Sequence, residues 1–141
     1  MVFMSSCEGQ PKATEAESAS VVFVEDAANQ KIDVKLNGSL FTSYHYQSSL
    51  PKPVLFPLVT ESGKTLTRGF PIDPQPGERV DHPHHMGHWF NYGDVNGLDF
   101  WNNSDAIPEE RLEDYGKSVH SEIVQVHSDN GSLSTKSSWQ N

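Results

Sequence analysis

The Asn37-Gly38 pair, set between two runs of alternating apolar and polar residues, constrains this chain more than any other local feature. A two-residue hairpin turn of type I′ needs φ > 0 at both central positions, and Asn-Gly meets that demand better than most pairs. Before the turn, Ile32, Val34 and Leu36 alternate with Lys31, Asp33 and Lys35. After it, Leu40, Thr42, Tyr44 and Tyr46 are expected on one face, with Phe41, Ser43 and His45 on the other. Residues 31–46 therefore predict a β-hairpin, and Val21-Val22-Phe23-Val24 predicts a further strand ahead of it.

Turn chemistry punctuates the rest of the chain in the same way. Asp129-Asn130-Gly131 separates Lys117 to His127 from Leu133 to Trp139, which predicts a second hairpin ending in an open edge with Trp139 near its tip. Asn96-Gly97 predicts a tight turn followed by a short strand through Asp99-Phe100-Trp101, with Trp101 in the core. Pro51, Pro53 and Pro57 cannot donate ladder hydrogen bonds, so residues 51–59 form an edge strand or an extended crossing that turns back at Ser62-Gly63. Pro71, Pro74 and Pro76 make residues 69–77 a rigid loop. Residues Pro108 to Tyr115, acidic at the start and followed by Gly116, predict the one helix, about two turns long. The fold class these elements define is all-β, with strands in antiparallel pairs.

A chain of 141 residues has room for one domain with a core, expected over residues 21–141 behind a tether at residues 1–20. Ten Lys and Arg against nineteen Asp and Glu give a net charge of −9. That balance supplies no basic stripe for a phosphate backbone, so nucleic acid is not an expected partner. It also disfavours charge-driven docking on anionic lipid. The single cysteine, Cys7, excludes an intramolecular disulfide. It follows Val2-Phe3-Met4-Ser5-Ser6, which resembles the lipobox of bacterial lipoproteins, and Glu8 to Ser20 is polar enough for a solvated tether. Lipidation at Cys7 would place the protein in the bacterial cell envelope, in the periplasm or at the outer membrane, with the lipid anchor as its only membrane contact. A P-loop, a dinucleotide fingerprint and a paired-cysteine zinc motif are all missing, so no cofactor is expected.

Side-chain chemistry concentrates in Arg79-Val80-Asp81-His82-Pro83-His84-His85-Met86-Gly87-His88-Trp89-Phe90, which holds four of the seven histidines. Imidazole is the side chain that changes charge nearest neutral pH. A cluster of it beside an arginine, a carboxylate and an indole has the makings of a pocket, where aromatic walls surround a few convergent polar groups. Asp81 is placed to orient His82 or His84, since a carboxylate commonly fixes the tautomer of a working imidazole.

The runs Lys52-Pro53-Val54-Leu55-Phe56-Pro57-Leu58, Thr67-Arg68-Gly69-Phe70-Pro71, Gly77 through Phe90, and Gly93-Asp94-Val95-Asn96-Gly97-Leu98-Asp99-Phe100-Trp101 resemble a bacterial family labelled "methane oxygenase PmoA", in substance a domain of unknown function. The resemblance covers about Val21 to Trp139 and matches the front half of the family's domain, which implies the amino-terminal part of a longer, incomplete unit. It implies an antiparallel β-sandwich similar to the supersandwich of galactose mutarotases and other sugar-handling enzymes. Their sites carry a short histidine motif after a substrate-binding arginine, an order that Arg79 followed by His82, His84 and His85 repeats.

On that resemblance the expected substrate is a sugar, glycoside or oligosaccharide, with His82, His84 and His85 as acid-base residues for an isomerase, hydrolase or lyase. Arg79 would hold a hydroxyl or carboxylate with its planar fork, and Asp81, His88, Trp89, Asp94 and Asn96 would complete substrate binding. Trp89 or Trp101 would stack on a pyranose face, whereas Asp94 and Asn96 serve equally well as turn formers. His45, on a strand face, is expected to be structural. One alternative is a copper or zinc oxidoreductase, in which His82 and His84 share a face and His85 or His88 adds a ligand; Pro83 inside the cluster works against it. A second is a non-catalytic carbohydrate-binding lipoprotein that depends on its aromatic residues and not on its histidines.

Overall fold

The computed structural model describes residues 19–141, so Cys7 lies outside the described residues. Those residues form six strands: β1 (Val21–Asp26), β2 (Lys31–Leu36), β3 (Ser39–His45), β4 (Val54–Leu55), β5 (Lys117–His127) and β6 (Ser132–Gln140). The first four make an antiparallel sheet in the order β1-β2-β3-β4, and β5 pairs with β6 as a separate hairpin. The fold is all-β. Among the described residues no helix is long and apolar enough to cross a membrane.

Local chemistry accounts for most of these elements. Asn37 and Gly38 take φ of 50° and 84°, and Asn96 and Gly97 take 54° and 84°, so both Asn-Gly pairs form the left-handed turns that their residues favour. The proline-rich segment supplies the edge strand β4, whose outer flank carries only the Leu55–His88 bridge, so the prolines on either side have no ladder to maintain. The stretch before Gly116 is a 3-10 helix, Glu109–Asp114, with no buried residue. Without an apolar face to bury, it lacks the packing that would extend it.

Two expectations are corrected. Val34 pairs with Thr42 but Lys35 pairs with Leu40, so Phe41 is an inserted bulge residue. Leu40 therefore lies on the face opposite Thr42 and Tyr44, because the bulge breaks the two-residue alternation. The segment Asp99-Phe100-Trp101 is not a strand. Asp99 accepts hydrogen bonds from the backbone and side-chain nitrogens of Asn102, at 2.9 and 2.7 Å, and this side-chain-closed turn leaves a single bridge to Tyr115. Phe100 is buried and packs tilted against Trp139 with ring centroids 4.7 Å apart, while Trp101 is 40% exposed and not a core residue.

The two faces of the main sheet have different neighbours. Phe23, Val34, Thr42, Tyr44 and Leu55 share with Leu133, Thr135 and Trp139 a cleft of about 630 Å³. The Tyr44 hydroxyl reaches His120 Nδ1 at 3.1 Å across it. On the other face His45 donates from Nε2 to the Phe56 carbonyl at 2.9 Å, the structural role expected of it. Here Val54, Phe56 and Met86 form the buried core, with Leu50 and Ile72 packed against it. Met86 comes from the histidine stretch itself, so the core is also what seats that loop.

Gly87 completes the seating. It has φ of 55°, and a Cβ there would overlap the Leu55 carbonyl oxygen and the Val54 side chain. Gly97 is also left-handed but faces open space. Gly97→Ala is expected to cost about 1 kcal/mol from backbone strain alone, and Gly87→Ala more than about 2 kcal/mol, because strain and overlap add. Urea denaturation of the two variants checks the difference; equal losses would show that the loop does not press on β4.

Candidate functional site

The histidine loop hangs between two fixed points. At its far end His88 exchanges backbone hydrogen bonds with Leu55, 2.9 Å from His88 N to Leu55 O and 2.8 Å in return, which extends the sheet edge by one residue. At its near end the guanidinium of Arg68 donates to the carbonyls of Asp81 (2.7 Å), His82 and His85 (3.3 Å) and to the Asp81 carboxylate (3.2 Å). Arg68 is in turn aimed by the loop that follows it. There the Glu78 carboxylate accepts backbone N–H bonds from Gly69 at 2.6 Å and from Phe70 and Gln75 at 3.0 Å, which hold it below the usual carboxylate range. A carboxylate satisfied by amides is a rigid staple for a segment with no ladder of its own.

Within this frame Asp81 is a hub. Its Oδ2 lies 3.0 Å from His82 Nδ1 and 3.1 Å from Arg79 Nη2, while Oδ1 meets Arg68. The His82 hydrogen bond, followed by the charges of Arg79 and His82, lowers the Asp81 pKa against a modest desolvation. An ionised acceptor at Nδ1 requires a proton there, so the neutral His82 ring presents Nε2 as its lone pair. The rings of His82 and His85 stack nearly parallel at 5.2 Å, and His84 meets His85 edge-on at 4.2 Å. Burial, then the charges of His85, Lys52 and His82, lower the His84 pKa. Burial, then His82, Arg68 and Lys52, do the same for His85. Both are thereby favoured as neutral bases.

Behind the imidazoles stands an indole wall. Trp89 lies 6.0 Å from His85 and 5.3 Å from Trp101, and Trp101 meets His85 edge-on at 6.3 Å. Lys52 is the fastening: its Nζ donates to the Trp101 carbonyl at 2.7 Å and sits 5.0 Å over the Trp89 ring. Only 1% exposed, it meets no carboxylate within hydrogen-bond distance among the described residues, and burial lowers its pKa to about 8 despite the attraction of Asp99. Pro51 and Pro53 fix the backbone on either side, so the chain holds the ammonium inward.

Of the residues predicted from sequence, His82, His84, His85, Arg79, Asp81 and Trp89 come together here. His88 does not: Leu55 pairs with both Tyr44 and His88, so His88 faces the cleft on that side of the sheet, a cleft that Trp89 also lines while its ring lies 6.0 Å from His85. Asp94 accepts from the Gly97 amide at 3.0 Å and Asn96 occupies the left-handed turn position, both as turn formers. Among the described residues no three His, Cys, Asp or Glu side chains converge in a metal-holding arrangement. Arg68, Lys52 and Asp99 carried no role in the sequence reading. A lysine between two prolines ahead of Val54-Leu55-Phe56 was the available signal for one of them.

The model of a family of unknown function, DUF6807, matches residues 31–141, and the chain belongs to that family. No curated protein and no solved structure matches the chain.

Lys52 makes a pH prediction with a definite sign. Its folded pKa, about 8, lies below the ordinary 10.5, so between those values the unfolded chain binds more protons. Stability contributed through Lys52 is fully present above the higher value and is lost as pH falls through the lower one. The wild type should gain up to roughly 3 kcal/mol relative to Lys52→Met on going from pH 8 to pH 10.5. Urea midpoints of both proteins across that window test this; parallel curves would contradict it.

Proposed function

We propose that the histidine loop is the acid-base site of a protein acting on a carbohydrate or glycoside. The observation that carries the reading is the Asp81–His82 pair at 3.0 Å, with the His82 side chain 58% exposed. A carboxylate on Nδ1 leaves Nε2 as the proton acceptor of the ring, the arrangement of a histidine positioned as general base. His84 and His85, favoured as neutral by burial and by neighbouring cations, stand beside it as second proton carriers or hydroxyl partners. Arg79, 86% exposed and bound through one nitrogen only, offers donors at the rim. The Trp89–Trp101 wall supplies an apolar face for a sugar ring.

The resemblance to the family labelled methane oxygenase PmoA, and through it to mutarotase supersandwiches, supports the choice of a sugar, since there too an arginine precedes a histidine motif. Fold likeness alone fixes no chemistry, so the reaction is assigned only as proton transfer at a sugar hydroxyl or ring oxygen.

The test uses the full chain with a panel of reducing sugars and aryl glycosides, following anomer interconversion by NMR and aglycone release by absorbance. His82→Gln is expected to lower turnover by roughly 10²-fold or more with the urea midpoint unchanged, because an exposed loop side chain contributes little to the core. Asp81→Asn should lower it as well, by allowing the other tautomer. Full activity in His82→Gln contradicts the reading. Loss of activity on chelation, restored by zinc or copper, replaces it with metal chemistry. Sugar binding that survives His82→Gln without turnover but falls in Trp89→Ala replaces it with a binding module.

A further inference from the structure

We infer that the ligand of the histidine-loop site is anionic, a sugar bearing a carboxylate and not a neutral sugar. The inference rests on the carbohydrate reading and names its substrate class.

The site does not share the negative charge of the chain. The protein carries −9 overall, yet Lys52, Arg68 and Arg79 gather at the histidine loop and match the three carboxylates beside them, Glu78, Asp81 and Asp99. All three carboxylates are already engaged. Glu78 accepts from the amides of Gly69, Phe70 and Gln75. Asp81 is shared among Arg68, Arg79 and His82, and Asp99 accepts from the side chain and backbone of Asn102. Lys52 is the telling group. It is 1% exposed, and its hydrogen-bond partner is a neutral carbonyl. Ammonium groups are rarely buried without a paired anion, and where they are, a functional reason is the common one. The field of Lys52 also reaches His84 and His85, so it bears on the histidine loop and not on a remote part of the core.

Three cations stand against three carboxylates, so the site is balanced before any imidazole takes a proton, but each carboxylate is already engaged while Lys52 has only a carbonyl. Arg79 provides the contact for an arriving anion: only its Nη2 is held, by Asp81, so the remaining nitrogens of the fork point to solvent. A planar guanidinium edge matches the two oxygens of a carboxylate. The indole wall then takes the ring that carries it. A uronate joins these features in one molecule, with a carboxylate on the arginine, a pyranose face on the tryptophans and hydroxyls toward the imidazoles.

Calorimetric titration of the full chain with galacturonate and glucuronate, against galactose and glucose, tests this. Each uronate should bind about tenfold or more tightly than its neutral parent, the margin of one charge-assisted contact. Added salt should shrink that margin. Arg79→Gln should erase it, and Arg79→Lys should keep only part of it, since an ammonium reproduces the charge without the fork. Equal affinity for uronate and neutral parent overturns the inference and leaves the carbohydrate reading standing; absence of binding by every sugar overturns both. Acetate or inorganic phosphate competing as well as a uronate overturns it too, by showing an anion site without a sugar site. A sugar phosphate that binds more tightly than the uronate overturns the choice of carboxylate.

Discussion

The guanidinium of Arg68 is the contact on which the site depends. It gathers three carbonyls and a carboxylate from residues 81–85, a stretch with almost no hydrogen bonding of its own beyond the turn from His85 N to His82 O. Irregular backbone leaves polar groups that must find partners, and one planar cation with five donors satisfies several at once. The cost is that the loop geometry rests on a single side chain. The benefit is that His82, with φ of 51°, is held in a left-handed conformation that a histidine seldom adopts. Strain of that kind persists where surrounding contacts over-determine it, and such places cluster at functional sites.

The fold around this contact is economical. Val54, Phe56 and Met86 form one buried cluster, and two of the three adjoin groups that shape the site: Lys52 lies two residues before Val54, and His84 and His85 run directly into Met86. Core formation and site formation are therefore one event. Folding β4 against β3 places Lys52; burying Met86 pulls the imidazoles onto the indole wall. The extended backbone then sets His88 in the cleft that faces the β5–β6 hairpin, while Trp89 both lines that cleft and stands beside His85.

What was legible in the sequence was what local chemistry decides. Asn37-Gly38, Asn96-Gly97 and Asn130-Gly131 turn where expected, because the backbone demand at a tight turn is met or refused by two residues. The histidine cluster was legible as composition, and Asp81 as the partner of His82 by adjacency. The Phe41 bulge was not, since either register of β3 keeps a plausible pattern until β2 is laid beside it. Nor were Arg68 and Lys52. Arg68 acts on residues 13 to 17 positions away and Lys52 on a carbonyl 49 positions away, and no periodicity carries such pairings. Asp99-Phe100-Trp101 misled because an aromatic run reads as strand, while the side chain of Asp99 closes a turn on Asn102 before a strand can form.

The central claim is that Asp81 commits the neutral His82 ring to a proton on Nδ1 and a lone pair on Nε2. Nitrogen-15 correlation spectra of the imidazoles read this directly, because protonated and unprotonated ring nitrogens resonate far apart. The account predicts that the neutral His82 ring shows Nδ1 protonated and Nε2 bare, and that Asp81→Asn abolishes this preference while the free-histidine tautomer balance returns. A neutral His82 ring carrying its proton on Nε2 in the wild type would contradict it.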